Sequence, residues 1–134
     1  MRILCFLSLI VLLASCSGGS ATSKKLAGSD SLVINFNTPG SNTIEKIMHT
    51  TESKAIKKLV NYTGGKSSEA FKCGYDGNLM FYKKGELLGD VSFNYSGEGC
   101  HHFIMDIDGK LNPTAMSNEA ADFLKSLAEG KPWY

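Results

Sequence analysis

Apolar and polar positions alternate along residues 31–38, with Leu32, Ile34 and Phe36 on one side and Val33, Asn35 and Asn37 on the other. A period of two predicts a half-buried strand. Pro39-Gly40-Ser41-Asn42 then reads as a turn. Residues 43–49 fit two patterns: Ile44, Ile47, Met48 and Thr51 suit a helix, while Thr43, Thr50 and Thr51 favour extended chain. A strand over 43–49 returning from the first is the simpler geometry. Next, Thr51 can cap a helix start and Glu52 suits its positive end. Ala55, Ile56, Leu59 and Val60 line one face of that helix, Lys54, Lys57 and Lys58 lie outside, and Gly64-Gly65 ends it.

Short strands follow. Phe71 and Cys73 share a face before a turn at Asp76-Gly77, and Leu79 and Phe81 alternate with Met80 and Tyr82 up to a hairpin at Lys84-Gly85. Val91, Phe93 and Tyr95 form another inward row before a glycine-rich loop, Ser96–Gly99. Phe103, Met105 and Ile107 form the next, closed by Asp108-Gly109. Turns this short impose antiparallel pairing, because a parallel crossover needs about a dozen residues. Ser117 caps a last helix with Ala120, Phe123, Leu124 and Leu127 on one face, and Gly130 stands at the left-handed position after it. The order predicts an α+β fold: a single antiparallel sheet of about five to seven strands with two helices packed on one face.

The start of the chain obeys a different pattern. Arg2 precedes an apolar run from Ile3 to Ala14, broken by Ser8. That run is short of the roughly 20 residues a membrane span requires, and it has the layout of a cleaved secretory signal. Leu13-Ala14-Ser15-Cys16 resembles the lipobox of bacterial lipoproteins. The resemblance covers residues 1–16 and implies removal of 1–15, with diacylglycerol and a further acyl chain such as palmitate on Cys16. Two or more chains anchor stably, at about 0.8 kcal/mol per buried methylene. Ser17, in place of an aspartate, implies sorting to the periplasmic face of the outer membrane where the cell has one. Residues 16–30 then read as the lipidated cysteine and a flexible Gly/Ser tether, and 31–134 as the domain.

Composition narrows the function classes. Losing Arg2 with the leader lowers the 14 Lys and Arg to 13, against 13 Asp and Glu. A neutral domain offers no electrostatic case for nucleic acid. Of the 4 cysteines, Cys5 leaves with the signal and Cys16 takes the lipid. Cys73 and Cys100 remain as the pair for one disulfide in an exported domain, with free thiols or a metal site as the alternatives.

Candidates for chemistry are few. His101 and His102 are adjacent, so on a strand they point to opposite faces and cannot chelate one ion together. His101 shares the side of Phe103 and Met105, which suits a partly buried, hydrogen-bonded histidine. His102 and Asp106 share a face, but at about 13 Å along a strand. Asp106-Ile107-Asp108-Gly109 is not a calcium loop, since the glycine falls at the fourth position rather than the sixth and no glutamate closes it. Asn61-Tyr62-Thr63 and Asn94-Tyr95-Ser96 match the glycosylation pattern by chance in a chain with a bacterial leader. Neither a Gly-x-Ser-x-Gly elbow nor a phosphate- or dinucleotide-binding glycine loop is present, so no catalytic residue, metal or cofactor is expected. Trp133 and Tyr134 are candidates either for packing on the sheet or for anchoring a partner.

Cys73-Gly74-Tyr75-Asp76-Gly77 and Trp133-Tyr134 are similar to features of small envelope lipoproteins with no assigned activity. Lipid-anchored lysozyme inhibitors share the one-disulfide, β-rich plan, yet Ser96-Gly97 is followed here by Glu98-Gly99-Cys100 instead of their Ser-Gly-x-x-Tyr loop. The expectation is a lipid-anchored cell-envelope protein with a non-enzymatic binding module and an envelope protein as partner. A small hydrolase using His101 or His102, an inhibitor, and an apolar-ligand carrier are the alternatives.

Overall fold

A computed structural model describes residues 20–69 and 72–133. The leader 1–15, Cys16, Phe71 and Tyr134 lie outside the described residues. The elements are α1 (Ala21–Leu26), β1 (Ser31–Asn37), β2 (Ile44–Thr50), α2 (Ser53–Thr63), β3 (Gly77–Lys83), β4 (Glu86–Asn94), β5 (His102–Ile107), β6 (Lys110–Ala115) and α3 (Asn118–Ala128). The six strands form one sheet in the order β2-β1-β3-β4-β5-β6, every neighbour antiparallel. The α+β class and single sheet expected from the pattern are those observed, and the segment read as a strand over 43–49 is β2, displaced by one residue to Ile44–Thr50.

Alternation explains which face is covered. Leu32, Ile34 and Phe36 pair in register with Phe81, Leu79 and Gly77, so the inward residues of β1 and β3 share one face. Val91 and Phe93 of β4, and Phe103 and Met105 of β5, extend it. Ile56 and Leu59 of α2, with Leu124 and Leu127 of α3, complete one buried cluster with these residues. The two hairpins turn as their residues require: Lys84 and Gly85 have φ of 50° and 79°, and Asp108 and Gly109 have 53° and 82°. Both residues of a tight type I′ turn need that left-handed backbone.

Five local expectations are corrected. Residues 20–30 are not a free tether. Ser20 caps α1 by accepting from the Ser23 amide, and Leu26 is completely buried in the core. The space for it is made by Gly89 on β4, where an added Cβ would stand 2.7 Å from Leu26 Cδ2 and 2.6 Å from Met105 Sδ. Thr51 does not cap α2; the preceding Thr50 Oγ1 accepts from the Glu52 amide at 3.0 Å, and the helix begins at Ser53. No strand includes Cys73, and Gly77 is the first residue of β3, not a turn. β4 ends at Asn94, so Tyr95 continues the inward row beyond the strand, half-buried against the core and stacked on Phe93 at 5.9 Å between ring centres. Finally, β6 is a strand the periodicity missed, because KLNPTA is mostly polar and includes Pro113. Proline is tolerated there because β6 lies at an edge. Even so, the Ser68 amide reaches Pro113 O at 3.0 Å and the Ala115 amide reaches Lys66 O at 2.8 Å, so residues 66–68 strap part of that edge.

α3 is capped as expected, with Ser117 accepting from the Ala120 amide. At its other end Lys46 of β2 donates to Leu127 O at 2.7 Å. A cation there complements the negative end of the helix dipole.

Candidate functional site

Cys73 and Cys100 form the expected disulfide, with Cα atoms 6.1 Å apart. It clamps the irregular segment 72–76 over one end of the face the helices leave uncovered. Beneath it lies His102, the first residue of β5, which is wholly buried. The Tyr75 ring packs on the imidazole at 6.2 Å. His102 Nδ1 sits 2.6 Å from Cys100 O; a carbonyl only accepts, so Nδ1 carries a proton. The full burial of His102 was not expected; it lies on the face of β5 opposite Phe103 and Met105, under the clamped segment. His101 is half-buried just before the strand, and its carbonyl accepts from the Met116 amide at 3.1 Å.

Asn94 ties the same cap to the glycine-rich loop. Its Nδ2 donates to Gly74 O, and its Oδ1 accepts from the Gly97 amide at 2.9 Å. Asp76 accepts from the Tyr95 and Ser96 amides at 2.7 and 2.9 Å and from Ser96 Oγ at 2.6 Å. Burial, then the charge of Asp76, pushes the Tyr95 phenol above its ordinary range. Asp106 accepts from the Gly109 amide at 2.8 Å, closing the β5–β6 turn. The Asp76 and Asp106 carboxylates are thus occupied in holding loops. Among the described residues no three His, Cys, Asp or Glu side chains stand close enough to hold a metal ion. A polar hollow of about 420 Å³ beside the cap is lined by residues including Ser41, Tyr75, Asp76 and Ser96.

The second feature is on the helical side. Trp133 folds back onto the domain, packed against the core that sheet and helices share, beside α2. With Glu52, Lys54, Ala55, Lys57 and Lys58 it lines a cleft of about 720 Å³. Lys57 also lines a smaller cleft between α2 and the end of α1, together with Leu26, Gly28 and Val60. Sequence reasoning placed the α2 lysines on an outer face but could not place Trp133 or α1 beside them. Lys58 Nζ stands 4.1 Å from the centre of the Phe123 ring of α3. Tyr62 donates to Glu119 Oε1 at 3.0 Å across the α2–α3 contact. Burial first, then that bond and the Glu119 charge, push its phenol up to about 12.

Set against protein-family models, curated proteins and solved structures, the chain matches none. Function must be read from the residues themselves. No helix among the described residues is long and apolar enough to cross a membrane.

Proposed function

We propose that this chain is a lipid-anchored cell-envelope protein, held through Cys16 on the periplasmic face of the outer membrane, whose domain is a non-enzymatic binding module for another envelope component. The observation that carries the reading is the run from Arg2 through the apolar stretch to Leu13-Ala14-Ser15-Cys16. The disulfide supports it, since such bonds persist where the environment is oxidising. A binding role is favoured over hydrolysis by the state of the candidate groups. A general base must reach the proton it abstracts, and His102 lies buried under Tyr75 with Nδ1 committed to a backbone carbonyl.

Labelling cells with radioactive palmitate tests the anchor. The wild-type chain takes up label and partitions into detergent, and Cys16→Ala does neither. Mass spectrometry of the cell-derived protein should find Cys16 as the acylated first residue; an unmodified terminus still beginning at Met1 would sink the reading. Turnover of a model ester, peptide or glycan, abolished by His101→Ala or His102→Ala, would overturn the non-enzymatic part.

A further inference from the structure

The tether expected between the lipid and the domain is largely absent, because α1 begins at Ala21 and is packed into the fold. From Cys16 to Ser20 only four peptide units remain, a reach of at most about 14 Å. The domain is therefore short-leashed, and the surface around Ser20 faces the bilayer closely if Cys16 is acylated. That surface is basic. Ser20 shares a hollow with Gly64 and Gly65 at the end of α2 and with Lys66 and Lys110. The exposed side chains of α1 include Lys24 and Lys25, and those of α2 include Lys54 and Lys57; neither helix has an acidic residue. Glu52, just before α2, is the carboxylate in the adjoining cleft. α3 is different, bearing Glu119, Asp122 and Lys125. At the far end of the α2 face stands half-buried Trp133, and Lys57 borders both the Trp133 cleft and the α1 cleft.

We propose that the lysine face of α1 and α2, edged by Trp133, lies against the anionic phospholipid headgroups of the membrane that holds the Cys16 acyl chains. The proposal rests on the lipid-anchor reading and deepens it: the protein is held by lipid and also oriented by its surface. Three observations converge on this occupant: the short reach from Cys16, the one-signed charge of the two helices nearest Ser20, and an aromatic side chain of the kind that settles at headgroup depth. The magnitude suffices. A lysine near an anionic surface is worth about fivefold in partition, so Lys24, Lys25, Lys54 and Lys57 together are worth on the order of several hundredfold. Tethering raises the effective concentration further, because the second contact is intramolecular. One consequence is orientation: docking the helices turns the opposite side of the sheet, with its disulfide cap, away from the membrane and toward other envelope components.

Trp133 is the chain's only tryptophan, so its fluorescence reports on this surface alone. The lipidated protein is reconstituted into vesicles of phosphatidylglycerol and phosphatidylcholine, with brominated acyl chains as quencher. The expected result is blue-shifted, quenched Trp133 emission, with both effects weaker in vesicles of phosphatidylcholine alone. The mature chain carrying Cys16→Ser has no acyl group and tests the surface separately. It should sediment with phosphatidylglycerol vesicles, release as salt rises, and bind roughly 25-fold more weakly with Lys54→Gln and Lys57→Gln combined. Both lysines are exposed, and an unchanged circular dichroism spectrum checks that the variant folds. Acylated Cys16 with unquenched Trp133, or a double variant that binds as well as its parent, overturns the docking surface and leaves the anchor standing. Unacylated Cys16 with salt-sensitive vesicle binding by the Cys16→Ser chain overturns the anchor instead.

Discussion

On one face of the sheet, Leu32, Ile34, Leu79, Phe81, Val91, Phe93 and Phe103 lie fully or almost fully buried under the helices. On the other, Asn35 donates to Asn78 Oδ1 at 3.1 Å and Asn78 donates to Asp90 Oδ1 at 2.7 Å. At its end Asn94 and His102 are sealed by a disulfide-clamped segment. The covered face is held by apolar area removed from water, which is additive and indifferent to direction. The uncovered face is held by directed hydrogen bonds and one covalent loop closure. Two kinds of stability meet in a single sheet, and they should fail differently.

The largest loss is expected on the covered face. Phe93 packs edge-on against Phe36, with ring centres 5.8 Å apart, and stacks on Tyr95. Phe93→Ala removes both contacts and leaves a cavity, at about 3–5 kcal/mol. A denaturant titration showing less than about 1 kcal/mol would mean that the core collapses around the gap and that the contrast between the faces is overstated. Next comes the cap. The disulfide spans a sequence separation of 27, and its removal by Cys73→Ser with Cys100→Ser should cost roughly 3.6 kcal/mol on the chain-entropy count. Amide exchange separates the mechanisms. The double variant should expose amides at residues 94–102 first, while Phe93→Ala should lower protection throughout the sheet.

These contrasts show which interactions could be read from the chain. Strand β1 was legible because Leu32, Ile34 and Phe36 express the pleat directly, and the Lys84-Gly85 and Asp108-Gly109 turns because left-handed backbone restricts residue choice locally. The disulfide followed from counting. What was missed depends on residues distant in sequence. Six residues of α1 display no helical period, and the burial of Leu26 depends on Gly89 having no side chain. β6 exists because β5 offers it a partner: Ile104 pairs with Pro113 and Met105 with Asn112. Asp76-Gly77 has the composition of a turn, yet the Asp76 carboxylate serves amides at 95 and 96. At the candidate site, single residues were legible and their neighbours were not. His102 could be weighed as a histidine, but not as one lying beneath Tyr75.

A smaller effect tests whether directed bonds hold the cap. Asn94→Ala strands Gly74 O and the Gly97 amide in a partly buried setting. An unmade bond of this kind costs about 1–3 kcal/mol. The loss should be confined to the cap, seen as faster exchange at the Gly97 amide with the β1–β3 amides unchanged. Asp90→Ala, on the open part of the same face, should cost only about 0.5–1.5 kcal/mol, since water can replace it as the acceptor for Asn78. Equal losses at the two positions would mean that the cap excludes no water.

The smallest effect is electrostatic and lies on the outer side of the helix layer. Tyr62 is held neutral to about 12, by burial first and by Glu119 second. In the unfolded chain a tyrosine ionises near 10. A group whose folded value is the higher one favours the fold while protonated, so its contribution is complete below about pH 10 and is lost as pH climbs through 12. Glu119→Ala removes the bond and the charge but not the burial. The Tyr62 titration, followed by the ring resonances in NMR, should fall toward 10 without reaching it. Stability measured across the same window should decline earlier in the variant than in the parent. Coincident curves would mean that Glu119 contributes nothing to Tyr62 and would leave α2 and α3 joined, like the covered face of the sheet, by apolar contact alone.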